Sequence, residues 1–229
     1  MLNESKLYDW LRLKKENINA ALFLNLLEKT PTFSYINIQK KNKVYPYLLV
    51  EIVNSSNKEL KLLKETLENE LKNKNNQFWY LKYKLNMFIG DITNKKTFNV
   101  NSYIHYECLH KNLQIDDLYH LLFIVINFQL SLSEKEILSQ ILPPLIINNS
   151  KNYNLIEASI LVQIACHIPC FFPKEFFEDI KEFFENQQKD EGYFGYSDPF
   201  ISKHTLNDND KILISFYCYQ ALKKLYSLR

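Results

Sequence analysis

Glycine is scarce in this chain, with three in 229 residues. A phosphate-cradling loop, a dinucleotide fingerprint and a nucleophile elbow each need glycines at fixed spacings. Three cannot build them, which excludes kinases, simple NTPases and Rossmann dehydrogenases. No run approaches the roughly 20 apolar residues that cross a bilayer. Neither charge sign dominates: 28 Lys and Arg stand against 26 Asp and Glu, a formal net charge of +2. No strong field therefore draws the chain to nucleic acid or to an anionic membrane. The densest basic run, Lys40-Lys41-Asn42-Lys43, reads as a solvated loop. The four cysteines, Cys108, Cys166, Cys170 and Cys218, sit among apolar residues without disulfide-scaffold spacing and read as reduced thiols. The polar start, Met1 to Lys6, has no signal-peptide character, and the cytoplasm is the expected compartment.

What is present is helical periodicity. Hydrophobic residues make up 46% of the chain, enough for a sizeable core and too many for a disordered polymer. Leu7, Trp10, Leu11, Ile18, Leu22 and Leu26 predict one or two helices before the Thr30-Pro31 stop. Tyr47 to Val53 is a short apolar run read as helix. Ser56 and Glu59 form a capping-box pattern that opens a charged helix over Lys58 to Lys74. An aromatic helix follows over Phe78 to Ile89. Residues 92–111 are the least periodic and mark a candidate boundary between an N-terminal helical half and the rest.

Beyond that boundary the pattern alternates. Helices apolar nearly all round are expected from Asp116 to Leu130, from Leu155 to Ile168 and from Lys211 to Leu228. Amphipathic ones are expected from Glu134, capped by Ser133 with Glu136, and from Lys174 to Gln188. Asp208 or Asp210 is the expected cap of the last helix. Apolar helices must be covered on most sides, whereas amphipathic ones face water. The alternation therefore describes an inner layer wrapped by an outer one.

Two of the three glycines fall in one stretch, Gln187-Gln188-Lys189-Asp190-Glu191-Gly192-Tyr193-Phe194-Gly195. Gln188 to Phe194 resembles the Q-x-x-D-G-x-W type repeat of α/α-toroid proteins, among them terpenoid cyclases and protein prenyltransferase β subunits. Phe194 replaces the usual tryptophan, and Glu191 stands as an extra acid before the glycine. In that superfamily the motif leads from an outer helix into an inner one, as the periodicity places it here. Asp208-Asn209-Asp210-Lys211 is similar to the D-x-D-D acid motif of class II terpene cyclases, which implies Asp210 as proton donor with Asp208 tuning it. Lys211 departs from that motif, since an ammonium favours the ionised acid. The D-x-C zinc pair of the prenyltransferases has no counterpart, and neither a metal nor a cofactor is expected.

The expected fold is all-α: a partial α/α toroid-like array in two layers, with an irregular helical bundle as the alternative. The chain reads as one helical domain, 1–229. The expected function is the holding of an apolar or peptide ligand in a concave cavity, in a bacterial specialised-metabolite or modified-peptide pathway. If the chain is an enzyme, Asp210, Asp208 and His204 are the candidate catalytic groups. His120, Glu157, Tyr196 and Tyr217 are the candidate ligand-binding residues. The competing expectation is a non-catalytic interaction, scaffold or immunity-type protein. Expected partners are a small-molecule or peptide ligand and another protein, without nucleic acid or a membrane span.

Overall fold

A computed structural model describes residues 1–27, 48, 115–127, 129–196 and 206–228. The expected elements at 47–53, 58–74, 78–89 and 92–111 lie outside the described residues, apart from Leu48, and so does His204. The described chain is all-α, and its only extended pairing is the isolated bridge between Gln188 and Phe194. Among the described residues no helix is long and apolar enough to cross a membrane. The chain divides into two compact units, residues 1–3 with 97–229 and residues 4–96.

In the second of these units, α1 (Glu4–Leu13) and α2 (Ile18–Leu27) form an antiparallel pair across a short turn. α1 buries Leu7, Trp10 and Leu11, a three-to-four-residue spacing that puts all three on one face. Asn17 supports the start of α2 by accepting the Asn19 N–H at 3.0 Å. The buried Asn25 amide donates to the Ala21 carbonyl one turn back at 3.0 Å, which satisfies it inside the core.

The larger unit contains α3 (Ile115–Asn127), α4 (Leu132–Lys151), α5 (Leu155–Ala165), α6 (Lys174–Glu185) and α7 (Asp208–Ser227). The cap of α4 is Ser131, two residues before the expected one. Its hydroxyl accepts the Glu134 N–H at 3.3 Å and the Glu134 carboxylate accepts the Ser131 N–H at 2.7 Å. Leu138, Leu142 and Ile146, spaced by four, form the inward stripe of α4. α5 ends at Ala165 instead of Ile168, because the residue before a proline avoids helical ψ and Ile168 takes φ −129, ψ 48. A single 3-10 turn, Pro169–Phe171, then leads to α6.

α5 is buried on every side from Ala158 to Ala165. It packs most extensively against α7, then α4, then α3. Each fully buried Ile, Leu or Val contributes about 1.5–3 kcal/mol, so this helix is the centre of the unit's stability. α7 is similarly enclosed, with Ile212, Ile214 to Tyr219, Leu222 and Leu225 buried. α4 and α6 keep one face in water.

α5 and α7 run parallel. Near their starts, Glu157 and Asp210 act electrostatically on the same phenol, that of Tyr196. In the middle, the Ser159 hydroxyl donates to Cys218 Sγ at 3.7 Å. Past the end of α5, Cys166 and His167 feel the charge of Lys224, in the last turn of α7. Neighbouring helices joined by a short link are normally antiparallel; parallel neighbours need an intervening element, which here is α6.

Candidate functional site at the starts of the buried helices

The site is built on the stretch between α6 and α7. α6 is a strongly two-faced helix with Ile180 and Phe184 inward. It ends at Glu185, three residues earlier than its periodicity predicts, and Gln187 and Gln188 belong to the turn. Gln187 folds back so that its amide donates to the Phe183 carbonyl at 3.1 Å, satisfying an orphan acceptor of the helix end. The Lys189 N–H donates to the Tyr193 carbonyl at 2.8 Å, the Gly192 N–H to the Lys189 carbonyl at 2.9 Å, and the Gly195 N–H to the Gln187 carbonyl at 3.1 Å. Gly192 sits at φ 107, where L side chains are strained. At Gly195 a Cβ would lie 3.2 Å from the Tyr193 ring, a tight contact that the ring would have to relieve by shifting a few tenths of an ångström.

Phe194 is the anchor of the turn. Its ring is fully buried and its N–H donates to the Ser215 hydroxyl of α7 at 2.8 Å. Tyr193 is held from the other side by the Lys211 ammonium, 4.5 Å from its ring centroid. The Lys189 ammonium donates to the Tyr196 carbonyl. Burial lowers the Lys189 pKa, against the opposing charge of Glu191.

Tyr196 leaves this turn half-buried, and its phenol is held above its usual value. Burial is the main cause; the negative charges of Asp210 and Glu157 add to it. Two acids singled out in the sequence, in the first turns of α5 and α7, thus lie within electrostatic reach of a third such residue, Tyr196. Asp210 is solvent-exposed and belongs to the α7 cap. Asn207, not an aspartate, is the N-cap: its side chain accepts the Asp210 N–H at 3.0 Å and donates to the Asp210 carboxylate at 2.7 Å. Asp208 begins α7 and is exposed. Tyr217 lies elsewhere, 1% exposed within α7 and edge-on to Phe216 at 5.3 Å, as part of the core. His120 lies on α3.

Two buried thiols flank the inner helices without being primed for reaction. Cys218, next to Ser159, is pushed up to about 12 by burial, partly offset by the hydrogen bond from Ser159. Cys166 is also raised to about 12 by burial, with Lys224 pulling it down. A thiol so raised stays protonated at neutral pH and is a poor nucleophile. His167 is lowered by burial and by Lys224, and its buried Nε2 has no hydrogen-bond partner among the described residues.

Sequence reading missed Ser215, Asn207 and Tyr226. Ser215 and Tyr226 carry no motif, and Asn207 was passed over in favour of the acids beside it. Ser215 was findable in principle as the one hydroxylic residue in the apolar run from Ile212 to Phe216. No family model, curated protein or solved structure matches the chain.

Proposed function

We propose that this chain is a two-layer, toroid-like helical protein that holds an apolar or peptide ligand at the common starting end of its buried helices, against Glu157, Tyr196 and Asp210. The observation that carries this reading is a half-buried tyrosine at the end of the turn, its carbonyl held by Lys189, within electrostatic reach of acids in the first turns of two different helices. Fold alone needs no such gathering, since α5 and α7 are held together by apolar contact along their length. A phenol with two acids within electrostatic reach offers a donor, and the acids offer acceptors, to polar groups of a ligand, with the Tyr193 and Tyr196 rings available to an apolar body. The toroid-like reading draws on the parallel inner helices α5 and α7 with α6 between them in sequence.

Holding is favoured over turnover. A proton donor to an alkene must be kept protonated in a dry site, whereas Asp210 is exposed and hydrogen-bonded to Asn207 as an acceptor. The buried thiols are protonated. The test is native mass spectrometry of the purified full chain beside the Glu157→Gln/Asp210→Asn double variant. A ligand mass retained by the wild type and lost from the folded variant supports the reading. Equal retention in both, or no retained mass and no thermal shift with apolar peptides, overturns it.

A further inference from the structure

Gln188 holds more than its own turn. Its carboxamide oxygen accepts the Asn3 N–H at 2.7 Å, and its nitrogen donates to the Asn3 carbonyl at 2.9 Å. Both main-chain groups of one residue are thus paired with a single side chain, much as a neighbouring strand would pair with them. The same nitrogen donates to the Gly192 carbonyl at 3.0 Å, and the Gln188 main chain is bridged to Phe194. The amide is therefore aimed by the turn itself. One residue earlier, the Leu2 N–H donates to the Tyr226 hydroxyl at 2.9 Å. Tyr226 donates its own proton to Glu185, which leaves a lone pair facing Leu2.

These three hydrogen bonds go to main-chain atoms, and Asn3 is exposed. Such a seat recognises an extended backbone and leaves side-chain identity largely unread, as in recognition by strand addition. Its three members come from the end of α6, the turn and the end of α7, so the seat is complete without the segment it holds. Residues 1–3 belong to the same compact unit as the seat.

We propose that Gln188, Tyr226 and Glu185 form a docking clamp for an extended peptide segment of a partner protein, and that residues 2 and 3 fill this clamp in cis. The chemistry of the occupant is set by the one now seated: an ammonium paired with Glu185 at 2.8 Å, then an N–H at the second residue and an N–H with a carbonyl at the third. The clamp involves none of the three residues assigned to ligand binding above and does not rest on that assignment. Because the cis segment is held at the exposed surface, a partner segment competes with it directly, at a cost set by the high effective concentration of a tethered competitor.

The experiment uses the full chain and a fluorescent peptide copying residues 1–8. Asn3→Pro removes the N–H that Gln188 reads while leaving the clamp untouched. That variant is expected to bind the peptide about tenfold more tightly than the wild type, near the upper range for one hydrogen bond. In that background Gln188→Ala and Tyr226→Phe each lose about as much again, and a peptide N-methylated at its third residue binds about tenfold more weakly. Amide exchange on the wild type supplies a readout that does not depend on any variant folding: added peptide should speed exchange at Leu2 and Asn3. No gain in Asn3→Pro, equal binding of the N-methylated peptide, or unchanged exchange overturns the proposal. Concentration-dependent dimers that exclude the peptide would assign the clamp to a second copy and overturn the partner assignment.

Discussion

Two junctions in the larger unit carry the chain from a half-exposed helix into a buried one, and they are built differently. Between α4 and α5 the turn is three residues, 152–154. Asn152, Tyr153 and Asn154 donate their N–H groups to the carbonyls of Asn148, Ser150 and Asn149 at 2.9–3.1 Å. Asn side chains add cross-links, Asn154 to Asn149 at 3.1 Å and Asn152 to Asn148 at 3.3 Å. Tyr153 takes the left-handed conformation at φ 54, a position where glycine or asparagine is usual. Between α6 and α7 the link is far longer, and its described part uses two glycines, a buried phenylalanine and two glutamines. One junction reverses the chain by amides and a strained tyrosine, the other by glycine and aromatic burial. The same step in topology therefore does not demand the same residues, which is why only one of the two resembles a repeat motif in sequence. The shorter junction touches the helix that leads into the longer one: the rings of Tyr153 and of Phe183 in α6 lie 6.4 Å apart.

Substitutions test this contrast in order of size. Phe194→Ala empties the centre of the longer junction and should cost about 3–5 kcal/mol in chemical denaturation. A loss under about 1 kcal/mol would mean that the turn is not anchored by that ring. Gly192→Ala forces a Cβ into φ 107 and should cost about 1–3 kcal/mol by the same measurement. At the shorter junction, Tyr153→Gly relieves a left-handed residue worth about 1–2 kcal/mol and gives up a ring contact worth about 0.5–1.5 kcal/mol. The net change should stay within about 1 kcal/mol; a loss as large as that of Phe194→Ala would make the two junctions alike after all.

The smallest effect links the helices that the junctions deliver. Glu157→Gln should bring the Tyr196 phenol down toward its ordinary value, and Asp210→Asn should do so as well, followed by carbon-detected NMR of labelled tyrosine. Both charges raise the phenol, so removing either favours its ionised form. The sign for stability follows. With a folded pKa above the unfolded one, the contribution of Tyr196 is present below pH ~10 and is lost as pH rises through the folded value. Either substitution should therefore shallow the fall in stability above that pH.

Much of the larger unit was legible in the sequence because α5 and α7 are apolar all round and α6 is sharply two-faced. Boundaries were less so, for local reasons. Ser131-Leu132-Ser133-Glu134-Lys135-Glu136 contains two overlapping capping boxes, and nothing within those residues chooses between them; the fold uses the first. At α7 the acids Asp208 and Asp210 drew attention as caps, while Asn207 makes the bond. Glu157, Tyr196 and Asp210 were each singled out separately, and their electrostatic coupling required the parallel arrangement of α5 and α7, which touch at Ser159 and Cys218, 59 residues apart, and which periodicity does not encode. The clamp at Gln188 was half legible. The glutamine was marked by its place in the repeat-like motif, and its amide does bond the Gly192 carbonyl of that turn, but Asn3, 185 positions away, gave no sign of reaching it.

Parallel packing of α5 and α7 has an electrostatic consequence. Every helix carries a macrodipole with about half a positive charge at its N-terminus, and two parallel neighbours bring those like ends together. Glu157 in the first turn of α5 and Asp208 and Asp210 in the first turn of α7 stand at that shared positive end. Each offsets part of the repulsion, by about 0.3–1 kcal/mol at an exposed position. The opposite ends, both partly negative, have Lys224 in the last turn of α7. Two of these acids, Glu157 and Asp210, also raise the Tyr196 phenol, so the countercharge that lets two buried helices lie side by side pointing the same way is felt by that tyrosine too.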